Sequence, residues 1–337
     1  MILGNFQDMQ TGHYIMNACK EFSSDVLGID IRGILRDFDN ATGQGVILDE
    51  INDSRMTPDI ILVMKGLELT NQTLIKIKEM FPKAKLVNWF FDIFLGDKPI
   101  WQQEGYFETL KMFDYYFCSL KGVADELNEL GFDNAMFLDE AYDPVYNGEV
   151  LSNYYQGLKY GGDISFVGTL GYLKQHGNRI PLLSHLVDEG FNIKIWGEII
   201  CDWKHIPANI RPYCLNTSVI NEKHSMVAQN SVINLGIDQN QTIDCGWSAR
   251  LFRVLAAGGC YVTNDTKGLS KYFKVNGKEI TGEEDLIIFR NPAHLIEILD
   301  FLLEHQDIAK KIGENGKKAV ENHTFKDRIK EMLEVIK

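Results

Sequence analysis

The sequence of 337 residues predicts an α/β protein with two tandem domains, each built on a parallel sheet. Three observations lead to this prediction. Short apolar runs alternate with amphipathic stretches, a loop-rich segment interrupts the alternation near the middle, and the two halves differ in charge. Residues 1–158 hold 12 basic and 25 acidic side chains, whereas residues 159–337 hold 22 of each. The net charge of −13 therefore falls in the first half, and the length fits two domains of about 150 residues each.

The first half alternates between strand and helix patterns. Asp59–Met64 is a continuous apolar run, which is typical of a strand that a parallel sheet buries on both faces. Amphipathic spacing predicts helices over His13–Phe22 and Asn71–Met80. Further strands are predicted at Met1–Asn5, Val26–Ile31, Lys85–Phe91, Tyr115–Ser119 and Ala135–Leu138. Elements that alternate at these lengths form βαβ units, so we expect a doubly wound, Rossmann-like domain.

The pattern lapses between residues 143 and 162, where Asp-Pro, Asn-Gly and Gly-Gly pairs favour turns. A second alternating series follows, with strands predicted at Asp163–Val167, Phe191–Trp196, Ser231–Leu235, Cys260–Thr263 and Asp285–Phe289. We predict an N-terminal domain over residues 1–158, a C-terminal domain over 159–320, and a last helix over 321–337 that packs on the N-terminal domain. Two such domains are expected to face a cleft, because ligands bind beyond the carboxyl ends of the strands in open α/β sheets.

Composition excludes several classes of protein. Hydrophobic residues make up 45% of the chain, but the apolar runs are only strand-length, so we expect no membrane span. The N-terminus lacks the pattern of a signal peptide. The six cysteines are scattered without a C-x-x-C pair, which favours reduced thiols in a cytoplasmic protein over a disulfide frame or a zinc site.

The segment Asp244–Asn264 carries the strongest local signal for chemistry. Gly246 allows close backbone approach, and a helix predicted over Ser248–Ala257 places Ser248, Arg250 and Arg253 in its first two turns. A helix N-terminus offers free N–H groups to a phosphate, and guanidinium groups add charged, bidentate ligands. The alternative is an ordinary helix with two arginines on its surface. The residue types and their spacing favour neither this interpretation nor a phosphate site.

The stretch from Ser248 to Arg328 resembles the C-terminal domain of GT-B glycosyltransferases of the CgeB-like, spore-maturation-protein type. The family's order and spacing are matched by Arg250-Leu-Phe252, Ala257-Gly-Gly259, Gly268-Leu-Ser-Lys-Tyr-Phe273 and Val320-Glu-Asn-His-Thr-Phe-Lys-Asp-Arg328. Looser resemblances lie upstream at Trp89-Phe-Phe-Asp92, Phe137–Pro144, Phe166-Val-Gly-Thr169 and Ile195-Trp-Gly197. Many relatives have a glutamate, thought to hold the donor's ribose hydroxyls, where this chain has Arg253. A guanidinium cannot accept a hydroxyl proton, so the mode of donor binding is expected to differ.

The resemblance implies a hexosyl- or pentosyltransferase that takes its sugar from a nucleotide-diphosphate-sugar donor, with retention of configuration. The donor would lie on the C-terminal domain and the acceptor on the N-terminal one. Metal-independent enzymes of this fold stabilise the leaving diphosphate with Arg/Lys side chains and helix termini, so no cofactor is expected. Arg250 is the candidate catalytic cation. Donor-binding candidates are Gly168, Thr169, Lys174, Arg179, Gly197, Gly246, Ser248 and Arg253. Arg179 could equally be an exposed charge at a helix start.

In the N-terminal half, His13 and Asp92 are candidates for acid–base or electrostatic work, with Gly12 and Lys65 on the acceptor side. His13 lies at the mouth of the first strand, where a histidine can titrate near neutral pH. Asp92 ends an aromatic strand, which favours partial desolvation. The alternatives are a simple helix-start histidine and a turn-forming aspartate.

Several functional alternatives stay open. A phage-type DNA-base glycosyltransferase of the same fold, a nucleotide-sugar epimerase and a non-catalytic sugar- or nucleotide-binding protein all fit the fold. The acidic first half disfavours nucleic acid, because like charges repel, and it favours a glycan, protein or small-molecule acceptor. Asp37-Phe-Asp39 matches a metal-binding Asp-x-Asp, but three-residue matches arise often by chance, and we predict no metal site.

Overall fold

The chain forms two compact units in a computed structural model, which describes residues 1–6, 11–92, 94–95, 98–99, 105–171, 178–239 and 241–336. The first unit comprises Met1–Glu140 and Phe325–Lys337, and the second comprises Ala141–Thr324. The chain thus leaves the first unit once and returns to it for the last helix. The domain bounds drawn from the sequence, at residues 158 and 320, remain predictions.

The first unit is built on a six-stranded sheet. Its strands are β1 (Ile2–Gly4), β2 (Gly28–Asp30), β3 (Ile60–Met64), β4 (Lys85–Phe90), β7 (Tyr115–Cys118) and β8 (Ala135–Phe137), and a separate antiparallel pair is formed by β5 (Phe94–Leu95) and β6 (Lys98–Pro99). The strands of the large sheet are all parallel, in the order β2-β1-β3-β4-β7-β8. The order reverses between β1 and β3, because the chain adds β2 on one side of β1 and the later strands on the other.

Helices accompany this sheet and include the end of the chain. They are α1 (Thr11–Lys20), α2 (Ile31–Asp37), α3 (Asn40–Asp53), α4 (Asn71–Met80), α5 (Tyr106–Leu110), α6 (Lys121–Glu129) and α14 (Phe325–Val335). Phe325 of α14 stacks on Tyr14 of α1, with 5.8 Å between ring centroids, and meets Trp89 edge-on at 6.0 Å. Trp89 Nε1 donates to the carbonyl of Leu138. These buried aromatic contacts fasten α14 to the first unit.

The second unit holds a five-stranded parallel sheet in the order β10-β9-β11-β12-β13. Its strands are β9 (Gly162–Val167), β10 (Ile193–Trp196), β11 (Ser231–Leu235), β12 (Tyr261–Asn264) and β13 (Ile287–Phe289). Its helices are α7 (Tyr154–Tyr160), α8 (Arg179–Asp188), α9 (Glu222–Asn230), α10 (Arg250–Ala256), α11 (Leu269–Tyr272), α12 (Pro292–Glu304) and α13 (Gln306–Ala319). Here the strand order reverses between β9 and β11.

The predicted fold class is confirmed, since each unit has a parallel sheet flanked by helices. The predicted helix Asn71–Met80 has the observed bounds, because Thr70 caps it by accepting from the Thr73 amide. Helix α7 lies inside the segment predicted as a loop. It forms because Asn153 and Gln156 make a capping box, a signal that the turn-forming pairs around it obscured. In the described part of the chain, no helix is both long and apolar enough to cross a membrane.

Candidate active site

The reversal of strand order in the second unit creates a place for a ligand. The loops after β9 and β11 leave in opposite directions, and open α/β sheets bind their ligands in the crevice between such loops. Gly168 and Thr169 follow β9, while Ile237 and Asp238 follow β11. Two candidate arginines, Arg179 and Arg250, converge here from the first residues of helices α8 and α10.

Arg250 and Asp238 form a buried ion pair in this crevice. The guanidinium NH1 lies 3.4 Å from Oδ1 of the carboxylate, and the two side chains are 12% and 6% exposed. Ser248 Oγ donates to the same Oδ1 at 3.0 Å, and the Asp238 amide donates to Oδ1 of Asn264 at 2.7 Å. Two side chains therefore hold the carboxylate, Asn264 holds the backbone of the same residue, and the carboxylate fixes one edge of the Arg250 guanidinium.

Arg179 is the second buried cation of the crevice. Its NH1 donates to the Thr169 carbonyl at 2.8 Å and its Nε to the Ile237 carbonyl at 3.3 Å, so it ties together the loops after β9 and β11. The guanidinium carbons of Arg179 and Arg250 lie 5.8 and 5.5 Å from the ring centroid of Phe166, within range of cation–π attraction. The reading of Arg179 as an exposed helix-start charge is wrong, since the residue is 8% exposed.

The described residues of the crevice place two cations near one carboxylate. Burial, together with the charge of Arg250, lowers the pKa of Arg179 to about 10. Burial also lowers the pKa of Arg250, but the Asp238 carboxylate and Tyr261 raise it more, so that it lies above its ordinary value. Both side chains stay protonated near neutral pH. Buried positive charge of this kind attracts an anion strongly, because the surroundings have a low dielectric constant.

Two glycines let the backbone close around Arg250. A Cβ at Gly168 would lie 3.2 Å from NH2 of Arg250 and 2.9 Å from Cζ of Phe166. Gly197 has φ +124°, and a Cβ there would overlap the carbonyl of Gly168. Both positions therefore need glycine for steric reasons, whereas their role in donor binding remains a prediction. In the loop before α10 the left-handed residue is Cys245, with φ +56°, and not Gly246.

The remaining donor-side candidates are placed differently from the sequence prediction. Helix α10 begins at Arg250, so Ser248 lies before the helix and positions Asp238. Arg253 lies close enough to His224 for its charge to act on that imidazole. Burial, together with the charges of Arg253 and Arg250, lowers the pKa of His224 to about 3. Lys174 lies outside the described residues.

Sequence reasoning missed Asp238 and His224. Asp238 follows an apolar strand just as Asp92 does, so its place at a strand end was the available signal. His224 lies within α9 and is 6% exposed, and its Nδ1 makes no hydrogen bond within the described residues. Nothing in its local sequence separates it from an ordinary helix residue.

The first unit has a cavity of about 180 Å³ at its own reversal of strand order, between β1 and β3. Its lining residues are Gly4, Asn5, Thr11, Gly12, Ile31, Arg32, Met64, Lys65, Glu68, Phe91, Asp92 and Glu140. Three of the predicted residues, Gly12, Lys65 and Asp92, therefore lie in one cavity. Gly12 is needed for space, because a Cβ there would overlap the carbonyl of Asn5.

An ion pair crosses this cavity between two strand ends. Lys65 Nζ donates to Oδ2 of Asp92 at 2.5 Å, with side-chain exposures of 41% and 47%. Lys65 has φ +59°, a left-handed conformation that is uncommon for a residue with a side chain. Its amide donates to the Trp89 carbonyl, and its carbonyl accepts from Nδ2 of Asn88, so the surrounding strand imposes this conformation.

His13 stands apart from this ion pair. It does not line the cavity, its Nε2 lies 2.7 Å from the Phe6 carbonyl, and its ring meets Phe6 edge-on. A carbonyl only accepts, so Nε2 carries the proton and a base role would fall to Nδ1. Within the described ranges, no group of three or more His, Cys, Asp or Glu side chains is arranged to hold a metal ion.

Comparisons with known proteins agree with the two-sheet architecture. Residues 179–334 match the family model described as glycosyl transferase-like. No curated protein sequence matches the chain significantly. The chain is similar to the solved structure of HepE from Anabaena in complex with UDP-glucose, with 12% identity, a TM-score of 0.65 and 99% of each chain covered.

Two further solved structures are similar over most of the chain. One is a UDP-forming α,α-trehalose-phosphate synthase from Burkholderia xenovorans, with 11% identity, a TM-score of 0.59, and 90% of this chain and 78% of the other covered. The other is an α-glucosyltransferase in complex with UDP-glucose and DNA containing an abasic site, with 13% identity, a TM-score of 0.54, and coverage of 82% and 80%. The protein thus has the GT-B fold, and the family match over residues 179–334 supports a glycosyltransferase.

Proposed function

We propose that the protein transfers a hexosyl or pentosyl group from a nucleotide-diphosphate sugar to an acceptor, without a metal ion and with retention of configuration. The observation that carries this proposal is the pair of buried arginines, of which Arg250 is paired with the Asp238 carboxylate and Arg179 donates to the carbonyls of Thr169 and Ile237. A diphosphate would place its negative charge beside these two cations. The order of motifs from Ser248 to Arg328 favours a CgeB-like enzyme.

Arg250 is the residue that would stabilise the leaving group. As the bond from the sugar to the diphosphate breaks, negative charge grows on the departing phosphate oxygen. Asp238 holds one edge of the Arg250 guanidinium, and NH2 lies beside the glycine turn at Gly168, where a ligand can approach the backbone. A hydrogen-bonding group that is already held in place needs no reorganisation when the negative charge appears, and this is the basis of electrostatic catalysis. The arginines thereby replace a metal ion or other cofactor.

Donor binding would draw on the residues around this pair. At the Gly168–Thr169 loop, a ligand could come close to the backbone. Gly197 packs against Gly168 of that loop, and Ser248 donates to Asp238. Arg253 takes the place of the ribose-binding glutamate of related sequences, and we assign it to the phosphate side. Gly246 and Lys174 remain candidates for donor contact.

The acceptor would occupy the first unit, with Asp92 as the group that contacts its hydroxyl and Lys65 and Gly12 beside it. His13 remains a candidate for proton transfer through Nδ1. The acceptor is a glycan, a protein segment or a small molecule. A nucleic acid is disfavoured, since the first unit carries 16 basic and 26 acidic residues.

Incubation with UDP-, GDP- and ADP-sugars, with release of the nucleoside diphosphate as the readout, tests this function. The wild-type protein should release one of these nucleoside diphosphates. Arg250→Ala should lower kcat by roughly 10²- to 10³-fold, which is the typical effect of removing one hydrogen-bond donor that stabilises charge in the transition state. Arg290→Ala is the matched control, because Arg290 forms a half-exposed ion pair with Asp265 at 3.5 Å, two strands away from β11. Isomerised nucleotide sugar without acceptor would identify an epimerase instead, and binding without turnover would identify a non-catalytic protein.

A further inference from the structure

We propose that the cavity between β1 and β3 of the first unit binds a neutral, hydroxyl-rich ligand, namely one sugar residue, through the Lys65–Asp92 pair. The inference rests on the proposed function in one respect, namely that this sugar is the acceptor of the transfer reaction. The binding itself follows from the cavity's size, its charge and the geometry of the ion pair.

The size of the cavity limits its ligand. A volume of about 180 Å³ lies below the ~300–1,000 Å³ that is typical of sites for drug-sized ligands. A volume of this size suits one small ring. Its position at the reversal of strand order places it where α/β sheets bind ligands.

The charge of the lining selects against anions. Among the described residues that line it, three carry carboxylates, Glu68, Asp92 and Glu140, and two carry cations, Arg32 and Lys65. A phosphate or carboxylate would enter a cavity with an excess of negative charge, inside a unit that is itself acidic. A neutral ligand avoids this repulsion, and the charged side chains remain available to it as hydrogen-bonding groups.

The Lys65–Asp92 pair matches the chemistry of a hydroxyl group. A hydroxyl both donates and accepts, whereas a carboxylate only accepts and an ammonium only donates. Lys65 Nζ and Asp92 Oδ2 are joined at 2.5 Å, yet both side chains are almost half exposed. An ammonium has three N–H groups and a carboxylate about four acceptor positions, so each retains capacity toward the cavity. Neighbouring hydroxyls of a sugar can therefore donate to Asp92 and accept from Lys65.

The backbone fixes the position of this pair. Lys65 is held in a left-handed conformation by hydrogen bonds to Trp89 and Asn88, and Gly66 follows with φ +73°. Strained residues of this kind persist where the surrounding structure imposes them, and they concentrate at ligand sites. Phe91 and Met64 complete the lining with apolar surface for the C–H face of a ring.

The test is a titration of the full-length protein with glucose, maltose and N-acetylglucosamine, compared with glucose 6-phosphate, glucuronate and a DNA oligonucleotide. Saturation-transfer NMR detects weak binding, and each titration is run with and without UDP. We expect at least one neutral sugar to bind, and Asp92→Asn and Lys65→Gln each to weaken it about tenfold or more, as loss of a charged hydrogen bond does. An unchanged melting temperature shows that each variant is folded.

Asp125→Asn is the matched control. Its partner Lys121 lies at the same 2.5 Å, and the exposures of 38% and 51% resemble those of the cavity pair. Neutral sugars that bind in neither condition, tighter binding of an anionic ligand or of DNA, or equal effects of Asp92→Asn and Asp125→Asn would overturn the inference. Sugar binding without any nucleotide-sugar turnover would contradict the proposed function alone. Turnover with an acceptor KM that Asp92→Asn leaves unchanged would contradict the cavity assignment alone.

Discussion

Arg250 and Asp238 form a buried ion pair across the crevice of the second unit, with NH1 3.4 Å from Oδ1. The pair joins a residue after β11 to the first residue of α10, and Arg179 adds a second positive charge to it from α8. Among the described residues of this crevice, two buried cations accompany one carboxylate. An anion that binds beside them would reduce the repulsion between the two cations, which connects the stability of this unit to its ligand.

Asp238→Asn should destabilise the protein and make it depend on ligand. Removal of one partner from a buried ion pair typically costs about 3–5 kcal/mol, because the other charge stays buried. We expect the free energy of unfolding in urea to fall by about 3 kcal/mol, and nucleoside diphosphate to raise the melting temperature more in the variant than in the wild type. If the two proteins were equally stable, the Asp238 carboxylate would not offset the buried positive charge of the arginines.

Gly168→Ala should damage the crevice through its Cβ. That carbon would press on Arg250 and on the ring of Phe166, and such overpacking typically costs about 1–3 kcal/mol. We expect a lower melting temperature and a larger loss of turnover than of stability, since Arg250 is displaced. The control is Gly162→Ala at the start of β9, the strand that Gly168 follows, where a Cβ would only meet methylene carbons of Lys194 at 3.5 Å or more. Activity of Gly168→Ala equal to that of the control would exclude this steric role.

His224 should make the protein less stable in mild acid. Its pKa is about 3 in the folded protein against an ordinary 6.5, so between these values the unfolded chain binds a proton that the folded protein excludes. The stability from this residue is complete above about pH 6.5 and is lost as the pH falls toward 3, at about 1.4 kcal/mol per pH unit.

Urea titrations between pH 4 and 7 check this dependence on His224. His224→Phe removes the titrating group and should flatten the curve of unfolding free energy against pH. His185→Gln serves as the control, because that imidazole is 43% exposed and near Glu189. A curve for His224→Phe as steep as that of the wild type would assign the acid sensitivity to other groups.

Phe325→Ala should loosen the last helix from the first unit. The ring is 1% exposed and packs against Tyr14 and Trp89, and truncation of a buried phenylalanine typically costs about 3–5 kcal/mol. Limited proteolysis should then cut near residue 325 sooner than in the wild type. Val335→Ala on the same helix is the control, since Val335 is 40% exposed. Equal cleavage rates in the two variants would contradict this role of Phe325.

Much of the fold was readable from the sequence, because buried strands of a parallel sheet appear as short apolar runs. The strand Ser231–Leu235 was predicted with its observed bounds for this reason. The starts of two helices were predicted less well. The capping box that starts α7 lies among turn-forming pairs. Helix α10 begins at Arg250, two residues after Ser248, whose hydroxyl donates to Asp238.

The candidate sites depend on strand order, which the sequence does not state. Lys65 and Asp92 were predicted one by one as strand-end residues, but their ion pair exists because β3 and β4 are neighbours. Asp238 and Arg179 lie 59 positions apart and meet only because β9 and β11 flank the reversal of strand order. Single polar residues gain such partners through topology, so periodicity alone could not assign Asp238 its role.

Calorimetric titration of the protein with UDP, GDP and ADP is the decisive measurement for the role of Arg250 in nucleotide binding. We expect one of these nucleotides to bind to the wild type, Arg250→Ala to weaken its binding by about tenfold or more, and Arg290→Ala to leave it unchanged. If no nucleoside diphosphate bound at millimolar concentration, or if Arg250→Ala bound it as tightly as the wild type, the proposed donor site would be wrong.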